Sequence, residues 1–471
     1  MNIILTNSIS RKKEVFKPIH SGKVGMYSCG PTVYNIPHIG NYRAYLFDDT
    51  AARIFAYNGF DVTHVMNITD VDDKTIKNAR AAGMSLSDFT AQYTKKFLED
   101  LAELNVQSIT YHPKATLHIS EMINLITDLL NKKAAYKGED GSIYFSIQSF
   151  GAYGNLSHLE KQLLQTDASG RVKNDEYSKE SPQDFALWKS WSEEDGEVYW
   201  DAPFGKGRPG WHIECSAMSM KYLGEHFDIH MGGIDLLFPH HENEIAQSES
   251  VTGIQFVNYW LHNEWLLVNG SKMAKRDGNF ITLRDILDKG YQALAYRFLC
   301  LQTHYRQQLN FTFEILDAAQ NGYRNLVSDI QRIVQKSKEL NEVILSDRLA
   351  SEIEKVKIEF RNSINDDFNT PKGLAVLFEF IKYIHHQDMH FSSSDFQRCF
   401  EVIKEFDAVL GLGLDDIKPL SIPDHISQLV REREVARTER NFKQSDELRA
   451  LIEKEGYAVE DTPSGTRISQ L

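Results

Sequence analysis

The feature that most constrains this chain is a change of hydrophobic period between residues 24 and 57. Val24-Gly25-Met26-Tyr27-Ser28 reads as a short buried strand, and Asn41 to Tyr57 sets Ala44, Phe47, Ala51, Ile54 and Phe55 at helical spacing. Between them runs Cys-Gly-Pro-Thr-Val-Tyr-Asn-Ile-Pro-His-Ile-Gly, a loop joining strand to helix. In doubly wound α/β proteins such a loop lies at the carboxyl edge of the sheet, where ligands bind at the switch in strand order. A helix start there offers free N–H groups and partial positive charge, which favour phosphate. His38 and Asn41 can each donate a hydrogen bond to a phosphate oxygen, Gly40 has no side chain to obstruct a nucleotide base, and Pro37 stiffens the approach.

The rest of the chain is long enough for several domains. At 471 residues with 42% hydrophobic content it can bury substantial cores. No apolar run is long enough to span a bilayer, and the first residues lack a secretory signal, so a cytoplasmic protein without a membrane partner is expected. Cys29, Cys215, Cys300 and Cys399 are too scattered for a disulfide framework; they read as thiols, Cys300 and Cys399 within cores and two others available to a metal. A net charge of -14 excludes indiscriminate nucleic-acid binding but leaves room for a partner held by a local basic surface.

Ile3 to Asn7 reads as an edge strand. Asp61 onward alternates as a strand and ends in Thr69-Asp70-Val71-Asp72-Asp73, which either contacts a ligand's ammonium group through Thr69 and Asp70 or caps a helix from Lys74. Residues 85–135 read as helical. Residues 136–205 lose that period, as expected of an insertion between two halves of a nucleotide fold; they include a strand-like Gly141–Ser146, a polar loop from Thr166 to Glu180, and Phe185–Lys189, whose lysine is either at a pocket edge or solvated.

Metal-ligand types crowd the next stretch. Gly-Trp-His-Ile-Glu-Cys (residues 210–215) is followed by His230 and by Phe-Pro-His-His-Glu-Asn-Glu (residues 238–244). If Pro239 opens a helix, His240 and Glu244 share one face; His241 stands three residues from Glu244, and spacing alone does not choose between the histidines. With sulfur from Cys29 and Cys215, such a set suits zinc.

Further on, Ser-Lys-Met-Ala-Lys-Arg-Asp-Gly (residues 271–278) follows a strand-like Glu264–Val268. Its Lys272 and Lys275 can track charge moving onto a departing pyrophosphate. From Ile281 to Asp407 the chain is strongly helical, with Asn369-Thr370-Pro371 as a helix opening, Thr370 capping and Pro371 first in the helix. A loop from Gly411 to Pro423 leads to helices at Ser427–Asn441 and Ser445–Glu455 and a final strand-turn.

Taken together, His-Ile-Gly-Asn, Tyr-Ser-Cys-Gly-Pro-Thr-Val-Tyr, Gly-Trp-His-Ile-Glu-Cys-Ser-Ala-Met, Phe-Pro-His-His-Glu-Asn-Glu and the Lys-Met-Ala-Lys-Arg loop resemble, in order and spacing, the cysteinyl-tRNA synthetase family of class I aminoacyl-tRNA synthetases. The loop departs from the family's KMSKS pattern at Ala274 and Arg276. The resemblance implies an α/β fold: a Rossmann-like parallel-sheet catalytic domain with an insertion, a helical bundle and a small C-terminal anticodon-binding domain. Its divisions would be 1–135 and 206–268 for the two catalytic halves, 136–205 for the insertion, 269–310 for the KMSKS-like and stem-contact region, 311–410 for the bundle and 411–471 for the tail. It implies one Zn2+ per chain on Cys29, Cys215, His240 and Glu244. ATP, carried with Mg2+, would meet Pro31, His38, Gly40, Asn41, Lys272, Met273 and Lys275, with His38, Asn41, Lys272 and Lys275 catalytic. L-Cysteine would meet Thr32, Thr69, Trp211, His230 and Asp235, and tRNA(Cys) would meet Arg437, Arg440, Phe442 and Arg449. The chain would act as a monomer. Two rival readings share these motifs: a paralogous ligase that passes cysteine to an amino sugar, and a non-catalytic RNA-binding relative.

Overall fold

The computed structural model describes residues 2–158, 184–273, 278–339, 347–387, 390–419, 422–462 and 465–470. The chain divides into two compact units, one of Met1–Gln320, Glu359–Ala375 and Ala408–Leu412, the other of Asn321–Ile358, Val376–Asp407 and Gly413–Leu471.

In the first unit a hairpin, β1 (Ile4–Asn7) and β2 (Lys12–Val15), precedes β3 (Lys23–Ser28), whose last three residues are buried. The expected strand-to-helix crossing follows: α1 spans Ile39–Tyr57, burying Tyr42, Leu46, Phe47, Ile54 and Phe55, and leads to β4 (Asp61–Met66). After β4 come α2 (Asp73–Ala81), α3 (Leu86–Glu103) and α4 (Ile119–Asn131). The continuous helical reading of residues 85–135 is therefore corrected. Asn105 turns left-handed at φ 54°, and the segment beyond it runs beside β4 through bridges Val65↔Tyr111 and Ile68↔Lys114.

Strands β5 (Ala135–Lys137), β6 (Ile143–Phe145), β7 (Phe185–Ser190) and β8 (Gly207–Pro209) form an antiparallel sheet in that order. Lys189 of β7 is not a solvated lysine; its Nζ pairs with Asp73 at 2.7 Å. The polar loop expected at Thr166–Glu180 lies outside the described residues. From β8 the chain turns at Gly210 into α5 (Trp211–Leu223), where a Cβ on Gly210 would stand 2.0 Å from the carbonyl oxygen of Ala186. Only a glycine lets helix start and strand pass that closely.

Beyond α5 lie β9 (Phe227–Gly233), α6 (Glu242–Thr252) and β10 (Val257–Asn263). The central sheet is parallel, in the order β10-β9-β3-β4. The chain leaves β3 on one side through α1 to β4 and returns on its other side as β9, so the order reverses between β3 and β9. Their carboxyl ends, Ser28 and Gly233, flank the switch-point crevice. A second small sheet, β11 (Leu266–Val268), β12 (Ser271–Lys272) and β13 (Leu309–Phe311), follows with α7 (Leu283–Asp288) and α8 (Ala293–Leu301).

Residues 313–410 carry the long helices α9 (Phe313–Lys336), α10 (Asp347–Asn365), α11 (Thr370–His386) and α12 (Ser393–Leu410). At the start of α11 the cap is Asn369, whose Oδ1 accepts from Lys372 N at 3.1 Å, one residue earlier than the Thr370 cap expected. In the second unit α13 (Asp424–Thr438) and α14 (Phe442–Lys454) each begin three residues before the expected positions. Asn441, read as the end of the first helix, caps the second instead by accepting from Gln444 N. A hairpin of β14 (Tyr457–Thr462) and β15 (Gly465–Gln470) closes over a core of Ile426, Val430, Ile452 and Val459. Among the described residues no helix is long and apolar enough to cross a membrane.

Candidate active site and metal centre

At the amino end of α1, His38 and Asn41 cap each other. The Asn41 N–H donates to His38 Nδ1 at 3.1 Å, and His38 N–H donates to Asn41 Oδ1 at 3.1 Å. An accepting Nδ1 places the ring proton on Nε2, so the imidazole keeps one N–H to donate. Burial lowers the His38 pKa against the opposing charge of Asp235, which favours that neutral ring. Asp235 itself is exposed, just beyond β9.

The segment after β12 returns to this helix start. Ile39 N donates to Ile281 O at 2.9 Å, His38 bridges to Thr282, and the His38 ring meets Phe280 edge-on at 5.4 Å. A Cβ on Gly40 would lie 2.8 Å from Met273 Cε, so the glycine admits this close approach. Lys272 Nζ sits over the Trp265 ring. Lys275 lies outside the described residues, as do Ala274 and Arg276.

The loop after β3 and the end of β4 are stitched by backbone bonds: Val33 N to Thr69 O and Thr69 N to Pro31 O, both 3.0 Å, with Thr32 bridged to Thr69. The Thr69 hydroxyl donates to Glu214 Oε2 at 2.8 Å. Of the two readings for the polar run, capping belongs to Asp72, which accepts from Thr75 N. The carboxylate of Asp70 is taken by Thr116 N and Oγ1, at 2.9 and 2.6 Å.

The metal-ligand types converge in the crevice. Cys29, Cys215, His240 and Glu244 place one donor atom each within 4.8 Å of one another, as do Cys29, His230, His241 and Glu244. The helix expected to open at Pro239 is displaced. Phe238 is extended (φ -140°, ψ 130°), its peptide bond to Pro239 is cis, and residues Leu237–His241 form an irregular turn before α6. His240 Nε2 nevertheless stands 3.0 Å from Glu244 Oε1, and it is buried. Its Nδ1 is bonded to His212 Nδ1 at 2.8 Å, the type of outer contact that fixes a ligating ring. His241, by contrast, reaches Cys29 Sγ at 3.4 Å through Nε2 and His262 at 2.8 Å through Nδ1. The His230 Nε2 is bonded to Glu244 Oε2 at 2.9 Å, and its ring stacks on Trp260.

The donor set fits zinc. The two sulfurs are 3.9 Å apart, and bonds of ~2.3 Å in a tetrahedron separate sulfurs by about 3.8 Å. A hydrogen bond from Cys29 brings the Cys215 thiol down to about 6, while burial and the neighbouring anions hold Cys29 well up. Burial opposes the charge on Glu244, but His230 and His240 overcome it and bring the carboxyl to about 2. Burial likewise opposes charge on His240, and Glu244 with Cys215 lifts it to about 10. Trp211, 43% exposed at the start of α5, lies 4.3 Å from the His240 ring.

In the second unit Arg433 grips Asp461 with two bonds, at 2.9 and 2.7 Å, and Arg437 joins it at 3.0 Å. Arg449 stands 3.8 Å from the same carboxylate and donates to Val459 O at 3.3 Å. Arg440 and Phe442 are exposed at the turn between α13 and α14. Sequence reasoning did not assign His212, His262, Asn67 or Glu214 a place around the site. His212 and Glu214 lay inside a motif already read for Cys215, and period-2 alternation with Trp260 was the only signal for His262.

The parallel sheet, its switch-point crevice and the capped helix start define a nucleotide-binding α/β protein of Rossmann-like topology. Residues 15–321 match the model for "tRNA synthetases class I (C) catalytic domain", and residues 359–415 match the DALR domain. A solved methionyl-tRNA synthetase of Mycobacterium tuberculosis with methionyl-adenylate superposes with a TM-score of 0.60 at 15% identity, covering 84% of this chain and 91% of that one. A leucyl-tRNA synthetase ternary complex of Agrobacterium radiobacter K84 gives 0.61 at 11% identity, covering 87% and 88%. Both likenesses concern the fold. A cysteine--tRNA ligase of Protochlamydia amoebophila is 47% identical over 99% of this chain and 97% of its own length, and one of Brachyspira hyodysenteriae is 47% identical over 99% of each. The chain belongs to the cysteine--tRNA ligase family and is a ligase. Membership implies ATP, an amino acid and a tRNA as substrates. The full-length match includes the tail beyond residue 410, which a ligase acting on an amino sugar would not need, and neither rival reading is favoured.

Proposed function

We propose that this chain activates L-cysteine with ATP to cysteinyl adenylate and transfers the cysteinyl group to the terminal ribose of tRNA(Cys). The carrying observation is the juxtaposition, at one sheet edge, of a four-donor thiolate, imidazole and carboxylate set with the His38-capped helix start. Cys29, Cys215, His240 and Glu244 would hold one Zn2+, which when bound supplies a soft Lewis-acid position selective for a thiol over a hydroxyl.

The remaining work falls to positioning and charge. His38 Nε2–H and the Asn41 amide donate to the phosphates of Mg-ATP. Gly40 and Met273 border the nucleotide together with Pro31. Lys272 and Lys275 stabilise charge as pyrophosphate departs, an electrostatic role that needs no covalent step. Thr69 retains a lone pair for the ammonium group of cysteine, with Thr32 beside it, while Trp211 and His230 wall the side-chain pocket and Asp235 orients a neighbour. In the tail, Arg440 and Phe442, with Arg437 and Arg449, offer the cation and stacking surface that single-stranded RNA bases use. Strands β5 to β7 serve as the insertion expected at residues 136–205, with β8 just beyond it completing their sheet, and residues 411–471 serve as the anticodon-binding domain. Two free thiols 3.9 Å apart suit a reducing compartment, the cytoplasm.

The test combines elemental zinc analysis with cysteine-dependent ATP–pyrophosphate exchange for wild type and Cys215→Ser. About one zinc per chain, lost together with exchange in the variant, is expected. Full cysteine activation by a zinc-free protein would overturn the reading.

A further inference from the structure

A directional chain of hydrogen bonds joins the two cysteine-bearing segments. Gly30, next to Cys29, donates its N–H to Asn67 Oδ1 at 2.9 Å. A backbone N–H can only donate, so Asn67 must present its oxygen there and its amide nitrogen on the other side. That nitrogen donates to Thr69 Oγ1 at 3.2 Å. With its oxygen accepting from Asn67, the Thr69 hydroxyl sends its proton to Glu214 Oε2 at 2.8 Å, and Glu214 is next to Cys215. All three side chains are buried, at 1%, 2% and 0% exposure for Asn67, Thr69 and Glu214, so water does not compete for these bonds. At Gly30 the two strands of this connection touch: a Cβ would lie 1.7 Å from Asn67 O.

We infer that Asn67, Thr69 and Glu214 are positioning residues for the metal centre, setting the separation of Cys29 and Cys215 before any ion arrives. Cys29 comes from the loop after β3 and Cys215 from α5, and 185 residues of intervening chain leave their spacing to tertiary contacts. The 3.9 Å separation matches the bite of a tetrahedral ion. The Gly30 N–H can only donate, which fixes the orientation of Asn67, so the first two links resist the exchange of partners that would let the sulfurs drift. The inference rests on the zinc reading above and adds to it a role for residues that touch no ligand atom of the set.

The test uses the full-length protein without cysteine, ATP or tRNA. Zinc affinity is measured by competition with a chromophoric chelator, and the cobalt-substituted protein reports thiolate coordination by its charge-transfer and d–d bands. Thr69→Val removes both hydroxyl bonds at nearly constant volume, and Thr69→Ser restores them. The Val variant is expected to bind zinc about 10- to 100-fold more weakly with altered cobalt bands, and the Ser variant to recover both. Asn67→Leu cuts the chain at its other joint and is expected to weaken binding to a similar degree, which keeps the test open if Thr69→Val fails to fold. Wild-type affinity and an unchanged cobalt spectrum in a folded Thr69→Val or Asn67→Leu protein would overturn the inference while leaving the zinc reading intact. Failure of wild type to bind zinc would overturn both.

Discussion

The two faces of the His38 ring can be separated by substitution. Nδ1 caps α1 by accepting from Asn41 N at 3.1 Å, while Nε2 carries the proton assigned to the phosphates. Asparagine at this position keeps an acceptor at the distance of Nδ1 and has nothing at the place of Nε2; alanine has neither. Loss of a preorganised donor to developing charge costs about 2.7–4 kcal/mol, or about 100- to 1000-fold in rate. Loss of a helix cap costs about 1 kcal/mol of stability. In a unit of roughly 340 residues, at about 2.1 cal/mol/K per residue, that is a fall of about 1.5 °C in melting temperature. His38→Asn is therefore expected to lose most cysteine-dependent pyrophosphate exchange while melting with wild type, and His38→Ala to lose both. Exchange within a few-fold of wild type in His38→Asn would refute the catalytic half of this reasoning. Equal melting of the two variants would refute the capping half.

Two further outcomes follow from packing and charge. Gly30→Ala, whose Cβ would meet Asn67 O at 1.7 Å, is expected to cost about 3 kcal/mol or more in urea unfolding, against about 1 kcal/mol for Gly59→Ala, where the strain is only the φ of 87° and nothing lies within 4 Å; equal costs would contradict the clash. Asp49 is buried, which opposes its charge, yet Arg297 and Arg53 bring its carboxyl to about 2. A folded value below the unfolded one, about 3.9, means that its contribution of about 2 kcal/mol is complete above that pH and is lost as pH falls toward 2. Wild type should thus lose stability below pH 4 more steeply than Asp49→Asn; parallel pH profiles would show that the ion pair carries no such weight.

Much of the fold was legible because its signals are local. The buried run before Cys29 and the helical spacing after Asn41 are set within a turn or a few residues, whereas the cap that His38 makes on that helix was seen only in the structure. Residue types pointed the same way at the candidate metal centre, where sulfur, imidazole and carboxylate donors converge as a set that suits a soft divalent ion. Local signals failed where a distant partner overruled them. Residues 104–118 left the helical reading to lie along β4, Lys189 found Asp73, and Asn441 spent its side chain on the helix ahead of it instead of ending the one behind.

What the chain's own order could not say is which groups meet. The spacing of His240, His241 and Glu244 allows either histidine to face the carboxylate. The tertiary structure sets His240 Nε2 3.0 Å from Glu244 Oε1, while His262 and Cys29 occupy the nitrogens of His241. It also brings Cys29 and Cys215 to 3.9 Å and runs a buried hydrogen-bond chain between their neighbours. Helix and strand period come from steric rules acting within a few residues, and the sequence by itself determines them. Distances between groups remote along the chain come from strand order and helix packing, so the tertiary structure alone decided them.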